Sequence, residues 1–143
     1  ISSVERELGY RLPASYVALM RSHNGGVPRN TSCPAPSRTG WSPDSVTVEA
    51  IMGIGRAKEY SLAGRSGSRF WIDEWHYPAI GVYFADCPSG GHDMIAFDYR
   101  DCGPAGEPRV VHIEQSADFR ITELATDFVS FVQALRPDEY DHA

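Results

Sequence analysis

Apolar residues alternate with other residues in two stretches near the middle of the chain. In Ile80-Gly81-Val82-Tyr83-Phe84, the side chains of Ile80, Val82 and Phe84 fall on one face at period two; beyond it, Ile95, Phe97 and Tyr99 repeat the pattern. Between them lies Cys87-Pro88-Ser89-Gly90-Gly91, a polar and glycine-rich turn. The pattern predicts a hairpin. Its turn would use positive φ at Gly90 or Gly91 and deliver His92 and Asp93 at the mouth of the second strand.

The flanking patterns supply the remaining elements. Val4 and Leu8 share one face of a short helix in which Ser2 and Glu5 have capping-box spacing and Gly9 is the stop. A second helix is expected from Pro13, with Tyr16, Val17 and Met20 at helical spacing and Asn24-Gly25-Gly26 as terminator. From 27 to 45 the chain is rich in proline and serine without a period, which predicts a long surface loop. Trp41 in that loop either folds back onto the core or anchors a partner.

Val46 to Met52 reads as a strand closed by Gly53-Ile54-Gly55, followed by a helical turn near Ala57 to Leu62. In Phe70 to Trp75, Trp71 and Trp75 are four apart and would share a helix face, as core residues or as partner anchors. Pro108 to Glu114 gives a third strand in a meander. A helix capped by Thr122 and striped by Leu124, Phe128, Phe131, Val132 and Leu135 follows, and Pro137 ends it. With no crossover helix between strands, the fold class expected is α+β: a single domain over 1–136 and an acidic tail over 137–143. One face of the antiparallel sheet should be packed by the terminal helices, the other left for solvent or a partner.

The chain has 143 residues, 42% of them hydrophobic, which suffices to bury a core without disulfide or metal staples. Its net charge of -6 and scattered arginines argue against nucleic-acid binding and suit a basic partner. Cys33, Cys87 and Cys102 cannot all pair, and no apolar run is long enough to span a bilayer, so a cytoplasmic location with no membrane role is expected.

Candidate chemistry is sparse. Cys87 beside His92 and Asp93 invites a cysteine nucleophile with a histidine base, yet no cysteine-hydrolase signature surrounds it, and adjacent His and Asp on a strand point apart. The reading favoured is structural, with Asp93 accepting backbone hydrogen bonds from the turn. Cys87, His92, Cys102 and His112 could in principle hold zinc, but they lack the close pair that zinc sites show, so no metal is expected. Asp98 should point away from the apolar face and pair with Arg100, Arg109 or His112. The glycine runs match neither phosphate-binding fingerprint, and no cofactor is expected.

The combination of Glu5, Leu8-Gly9, Leu12-Pro13, Tyr16, Asn24-Gly25-Gly26, Gly53-Ile54, Tyr77-Pro78-Ala79-Ile80-Gly81, Ser89-Gly90-Gly91-His92-Asp93-Met94-Ile95, Asp98-Tyr99-Arg100, Gly106-Glu107-Pro108-Arg109-Val110-Val111-His112 and Leu124 to Phe131 resembles the SUKH superfamily. More narrowly it is similar to the bacterial branch of the family named after the yeast Smi/Knr regulator of cell-wall glucan synthesis. The resemblance implies a single α+β domain that binds proteins, in bacteria most often an immunity protein neutralising a polymorphic toxin, frequently a nuclease. It carries no catalytic residues. Asn24, Gly25, Gly26, Gly90, Gly91, His92, Asp93 and Asp98 would be structural under it.

The expected partner is then a toxin domain with a basic surface, met by aromatic anchors and acidic residues. Trp41, Trp71, Asp73, Glu74 and Trp75 are the residues expected to touch it. A scaffold or regulator of cell-wall synthesis is the alternative within binding proteins, and a small hydrolase using Cys87 or His92 the alternative of another class.

Overall fold

The chain is described by a computed structural model over residues 1–36 and 44–137. Helices α1 (Ser2–Leu8) and α2 (Ala14–Ser22) come first, followed by strands β1 (Ser32–Pro34), β2 (Ser45–Thr47) and β3 (Ala50–Ile51). Helix α3 (Ser68–Asp73) leads into the hairpin β4 (Gly81–Asp86) and β5 (Asp93–Asp98); β6 (Arg109–Glu114), β7 (Arg120–Ala125) and α4 (Phe128–Ala134) complete the described fold. The main sheet has the order β3-β4-β5-β6-β7 and is antiparallel throughout, while β1 and β2 form a separate two-stranded ribbon. This is an α+β domain, as the patterning predicts.

The predicted hairpin forms with Val82 opposite Phe97, and Gly90 and Gly91 take φ of 69° and 100°. Gly81 must be glycine for a different reason: a Cβ there would lie 1.8 Å from the Phe97 carbonyl oxygen. Phe84 and Phe97 stack with centroids 4.0 Å apart, and α2 and α4 close over them. Tyr16 and Phe128 meet Phe97 edge-on at 5.3 and 5.8 Å, and Phe131 meets Phe84 at 5.9 Å. The Tyr16 hydroxyl donates to the Met52 carbonyl, so this buried phenol is satisfied.

The expectation of a second sheet face left for solvent or a partner is overturned. Every residue of β4 and β5 is buried. The reason is composition: Tyr83, Ala85, Met94 and Ala96 make the alternate positions apolar as well, so both faces need cover. The segment 68–78 supplies it, with the Tyr77 ring 5.2 Å from Tyr83 and the Ser68 hydroxyl accepting from the Tyr83 amide at 2.9 Å.

Other expectations are corrected in detail. Thr122 is no helix cap; it pairs with His112 in β7, because Arg120 to Ala125 also alternates and the open edge of β6 takes it as a strand. The helix begins at Phe128, where the Asp127 carboxylate accepts from the Ser130 amide at 2.8 Å. The strand expected from Val46 to Met52 divides, β2 pairing with β1 and β3 with β4, and β1 falls within the expected loop. Residues 57–62 form turns, not a helical turn. Ser2 makes no capping box: Ile1 is the cap, and Glu5 accepts from the Leu12 amide at 2.7 Å, tying α1 to the start of α2. Trp41, and the tail beyond Pro137, lie outside the described residues.

Phe97 sits at the centre of the ring cluster and is fully buried. Phe97→Ala should lower unfolding free energy by about 3–5 kcal/mol. Urea titration with an unchanged m-value checks this.

Candidate functional site

Two groups of chemistry-bearing side chains gather at the β4–β5 turn, one beneath it and one beside it. Beneath it, Asp93 opens β5, and His112 on β6 stands opposite Ile95, two positions along on the same face. His112 Nε2 and Asp93 Oδ2 are 2.7 Å apart, each side chain 1% exposed. Ser89, in the turn, hydrogen-bonds the other carboxylate oxygen of Asp93 through its hydroxyl, which also accepts from the Asp93 amide at 3.1 Å. Cys87 is buried beside them, and the ligand-type atoms of Cys87, Asp93 and His112 lie within 4.8 Å of one another.

The electrostatics of this group is that of a saturated acceptor. Burial pushes the Asp93 carboxyl up, but hydrogen bonds from His112 and Ser89 and the nearby imidazole charge outweigh it and hold the group below its ordinary range. Burial, with the Asp93 charge adding to it, pushes the Cys87 thiol well up, the opposite of what a nucleophilic thiolate needs. As metal donors the three offer one sulfur, one nitrogen and one oxygen, but the Asp93 oxygens are already engaged by His112 and Ser89.

The sequence-based chemistry is rearranged accordingly. His92 does not face Cys87; it is exposed, with Nδ1 3.2 Å from Gln115 Oε1. Cys102 is exposed and hydrogen-bonds the Tyr99 and Gly103 carbonyls. Of the four residues weighed for zinc, Cys87 and His112 alone come together, and the third member of that cluster, Asp93, belonged to none of the zinc reasoning. Asp93 takes side-chain partners where backbone ones from the turn were expected. Asp98 is 6% exposed and pairs with Arg100, its own strand's continuation, at 2.8 Å, while Arg109 turns to Asp101 and Glu123. Burial raises the Asp98 carboxyl, and the Arg100 fork and its charge more than reverse that.

Asn24, Gly25 and Gly26 do more than stop α2. The Asn24 amide accepts from the Ile54 N–H at 2.8 Å and donates to the Ile54 carbonyl at 3.1 Å. Gly26 and Ile51 exchange two backbone hydrogen bonds of 2.9 Å, which pairs the outer edge of β3. At Gly25, φ is +83° and a Cβ would stand 2.7 Å from the Gly53 nitrogen, so the close approach requires glycine.

Beside the turn, α3 carries the aromatic wall. Trp71 is 7% exposed, donates to the Ser66 carbonyl at 3.2 Å, and leaves no room for a side chain at Gly91, where a Cβ would be 2.6 Å from its ring. Trp75 lies in the turn just past the end of α3, so the expected shared helix face does not form, yet its ring stands 5.3 Å from Trp71 and, half-buried, 5.8 Å from His92. Asp73 and Glu74 are exposed at the end of α3.

A further carboxylate went unnoticed in the sequence. Asp86 ends β4, is 8% exposed, and accepts from the Ala50 amide at 3.1 Å. Burial, with Glu49 beside it, pushes its carboxyl up to about 6 although the Tyr60 hydroxyl opposes the shift. The available signal was an acid closing an otherwise apolar strand.

A family model described as SMI1-KNR4 cell-wall, SUKH_6, matches residues 1–132 of this chain. The chain belongs to the SUKH superfamily. No curated protein and no solved structure matches it. The SUKH match covers α1 through most of α4, so it includes both the buried group and the aromatic wall. Among the described residues no helix of the SUKH domain is long and apolar enough to cross a membrane.

Because the folded carboxyl of Asp86 is raised above its unfolded value, its stabilising share is full below about pH 4 and lost as pH rises through about 6. Asp86→Asn should therefore unfold at higher urea than wild type above pH 6, by up to about 2 kcal/mol, and converge with it near pH 4. A second measurement bears on the Cys87–Asp93–His112 group. Elemental analysis of protein purified without chelator should find well under one zinc per chain.

Proposed function

We propose that this SUKH domain is a non-enzymatic protein-binding module that neutralises a bacterial toxin domain with a basic surface, a nuclease being the best-fitting class. The observation that carries the reading is the family match over residues 1–132. Three features support it. The net charge of -6 complements a protein surface that handles nucleic acid. Asp73 and Glu74 are exposed next to the half-buried Trp75, a pairing of acidic rim and aromatic anchor that suits a protein interface. The thiol of Cys87 is buried and pushed up, and Asp93 is fully engaged, which favours a structural over a catalytic use of that group.

The proposed surface comprises Trp41, Asp73, Glu74 and Trp75, with Trp71 supporting Trp75 from behind. The compartment that fits a toxin acting on nucleic acid is the cytoplasm. The alternative reading, a scaffold or regulator of cell-wall synthesis, is favoured by the matched family's own description. Rescue separates the two. Cells expressing a toxin domain encoded beside this chain should grow when the chain is co-expressed, and the purified pair should form a complex that inhibits the toxin. Trp41→Ala, or the pair Asp73→Ala and Glu74→Ala, should weaken that complex by more than about 1 kcal/mol in calorimetry. Retention of wall-synthesis proteins on the immobilised domain, with no rescue from any neighbouring toxin, would favour the scaffold instead.

A further inference from the structure

The tip of the β4–β5 turn meets Trp75 directly, and a third segment is joined to it through His92 and Tyr77. The end of α3 contributes Asp73, and the turn that follows it Glu74 and the ring itself. The turn tip brings His92, whose ring lies 5.8 Å from Trp75. The turn after β6 brings Gln115, 3.2 Å from the His92 Nδ1, and Phe119, whose ring packs 5.3 Å from Tyr77 and so joins the same wall. Asp73, Glu74, His76, His92 and Asp118 are all exposed on these three segments.

The charge on this face is one-sided. The chain has 13 lysines and arginines, yet none falls between Arg69 and Arg100, or between Arg109 and Arg120, the stretches that build the face. Among the described residues Asp73, Glu74 and Asp118 form no ion pair with one another's neighbours or with any arginine or lysine. Their charges are therefore directed at solvent while an aromatic ring sits between two of the three segments. A guanidinium is the group that such an arrangement suits, since it can lie against an indole and meet carboxylates at its edge.

We propose that this face, formed by the end of α3, the tip of the β4–β5 turn and the 115–119 turn, receives an arginine-bearing segment of the protein partner, with Trp75 as its anchor. The proposal rests on the protein-binding reading above and adds the occupant and the residues His92, Gln115 and Asp118. A second copy of the chain is a poor occupant, because an isologous contact would set the same carboxylates against each other. Nucleic acid is excluded by the same sign of charge.

Isotope-labelled full-length chain titrated with an arginine nonapeptide, in about 150 mM salt to screen long-range attraction, tests the proposal. Shift changes should concentrate at the Trp75 indole, His92, Gln115 and Asp118. Trp75→Ala should weaken binding about tenfold, as loss of a desolvated cation–π contact would. Trp75→Phe should keep most of the affinity, which separates loss of the anchor from loss of the fold. Asp73→Asn with Glu74→Gln, both exposed, should weaken it several-fold, and Glu59→Gln, elsewhere on the surface, should not. Shifts mapping to another surface, affinity unchanged in Trp75→Ala, or equal weakening by Glu59→Gln would each overturn the proposal. A domain that rescued cells from its toxin while failing here would lose this face and retain the toxin-binding reading.

Discussion

Phe84 and Phe97 stack 4.0 Å apart across the central hairpin, and the placement of nearly every other element follows from that contact. A one-residue slip of β5 against β4 would turn Phe97 to the opposite face and part it from Phe84. The register is held against such a slip from both sides. Gly81 lets the Phe97 carbonyl approach at the open end, and the turn at Gly90 and Gly91 fixes the closed end. The register shift between Tyr83 and Ala85 falls at Phe84 itself, where a bulge bends the strand and brings the ring under the helices. Helices α2 and α4 are then positioned by the rings they cover, Tyr16 and Phe128 being the edges that close on Phe97.

The carboxylates at the ends of these strands show how burial is tolerated. Asp86, Asp93 and Asp98 are all under a tenth exposed, and each sits where the apolar core gives way to a turn. Asp93 and Asp98 remain ionised because an imidazole with a hydroxyl, and a guanidinium, supply what water would have supplied. Asp86 has a carboxylate neighbour in place of a cation, so its carboxyl moves the other way. Burial is common to the three; the identity of the partner decides the sign.

What the sequence made legible was whatever depends on local pattern. The hairpin, its positive-φ turn, α1 and α2 all follow from spacing within a few residues. The failures are places where a distant element decided. Ile121-Thr122-Glu123-Leu124 fits a strand or a helix, and only the open edge of β6 selects the strand. The strand expected at Val46 to Met52 divides because β1, hidden in a proline-rich stretch, claims its first half. The alternation of Ile95, Phe97 and Tyr99 marks one sheet face only, while Met94 and Ala96 between them are apolar too and bury the other. At the candidate site, His112 and Asp93 are 19 residues apart and meet through the β5–β6 register, whereas the adjacent His92 points away. Neither fact has a local signal.

The aromatic wall ties the fold to the surface through one glycine. Covering the second sheet face requires a bulky group over the turn, and Trp71 reaches it because Gly91 has no side chain to stand in the way. Once Trp71 is seated there, the turn that ends α3 carries Trp75 outward onto the rim, next to His92. Burial of the first indole and half-exposure of the second are thus two results of one geometric step. A change at Trp71 acts on the core and a change at Trp75 on the rim, while Asp73 and Glu74 between them are exposed.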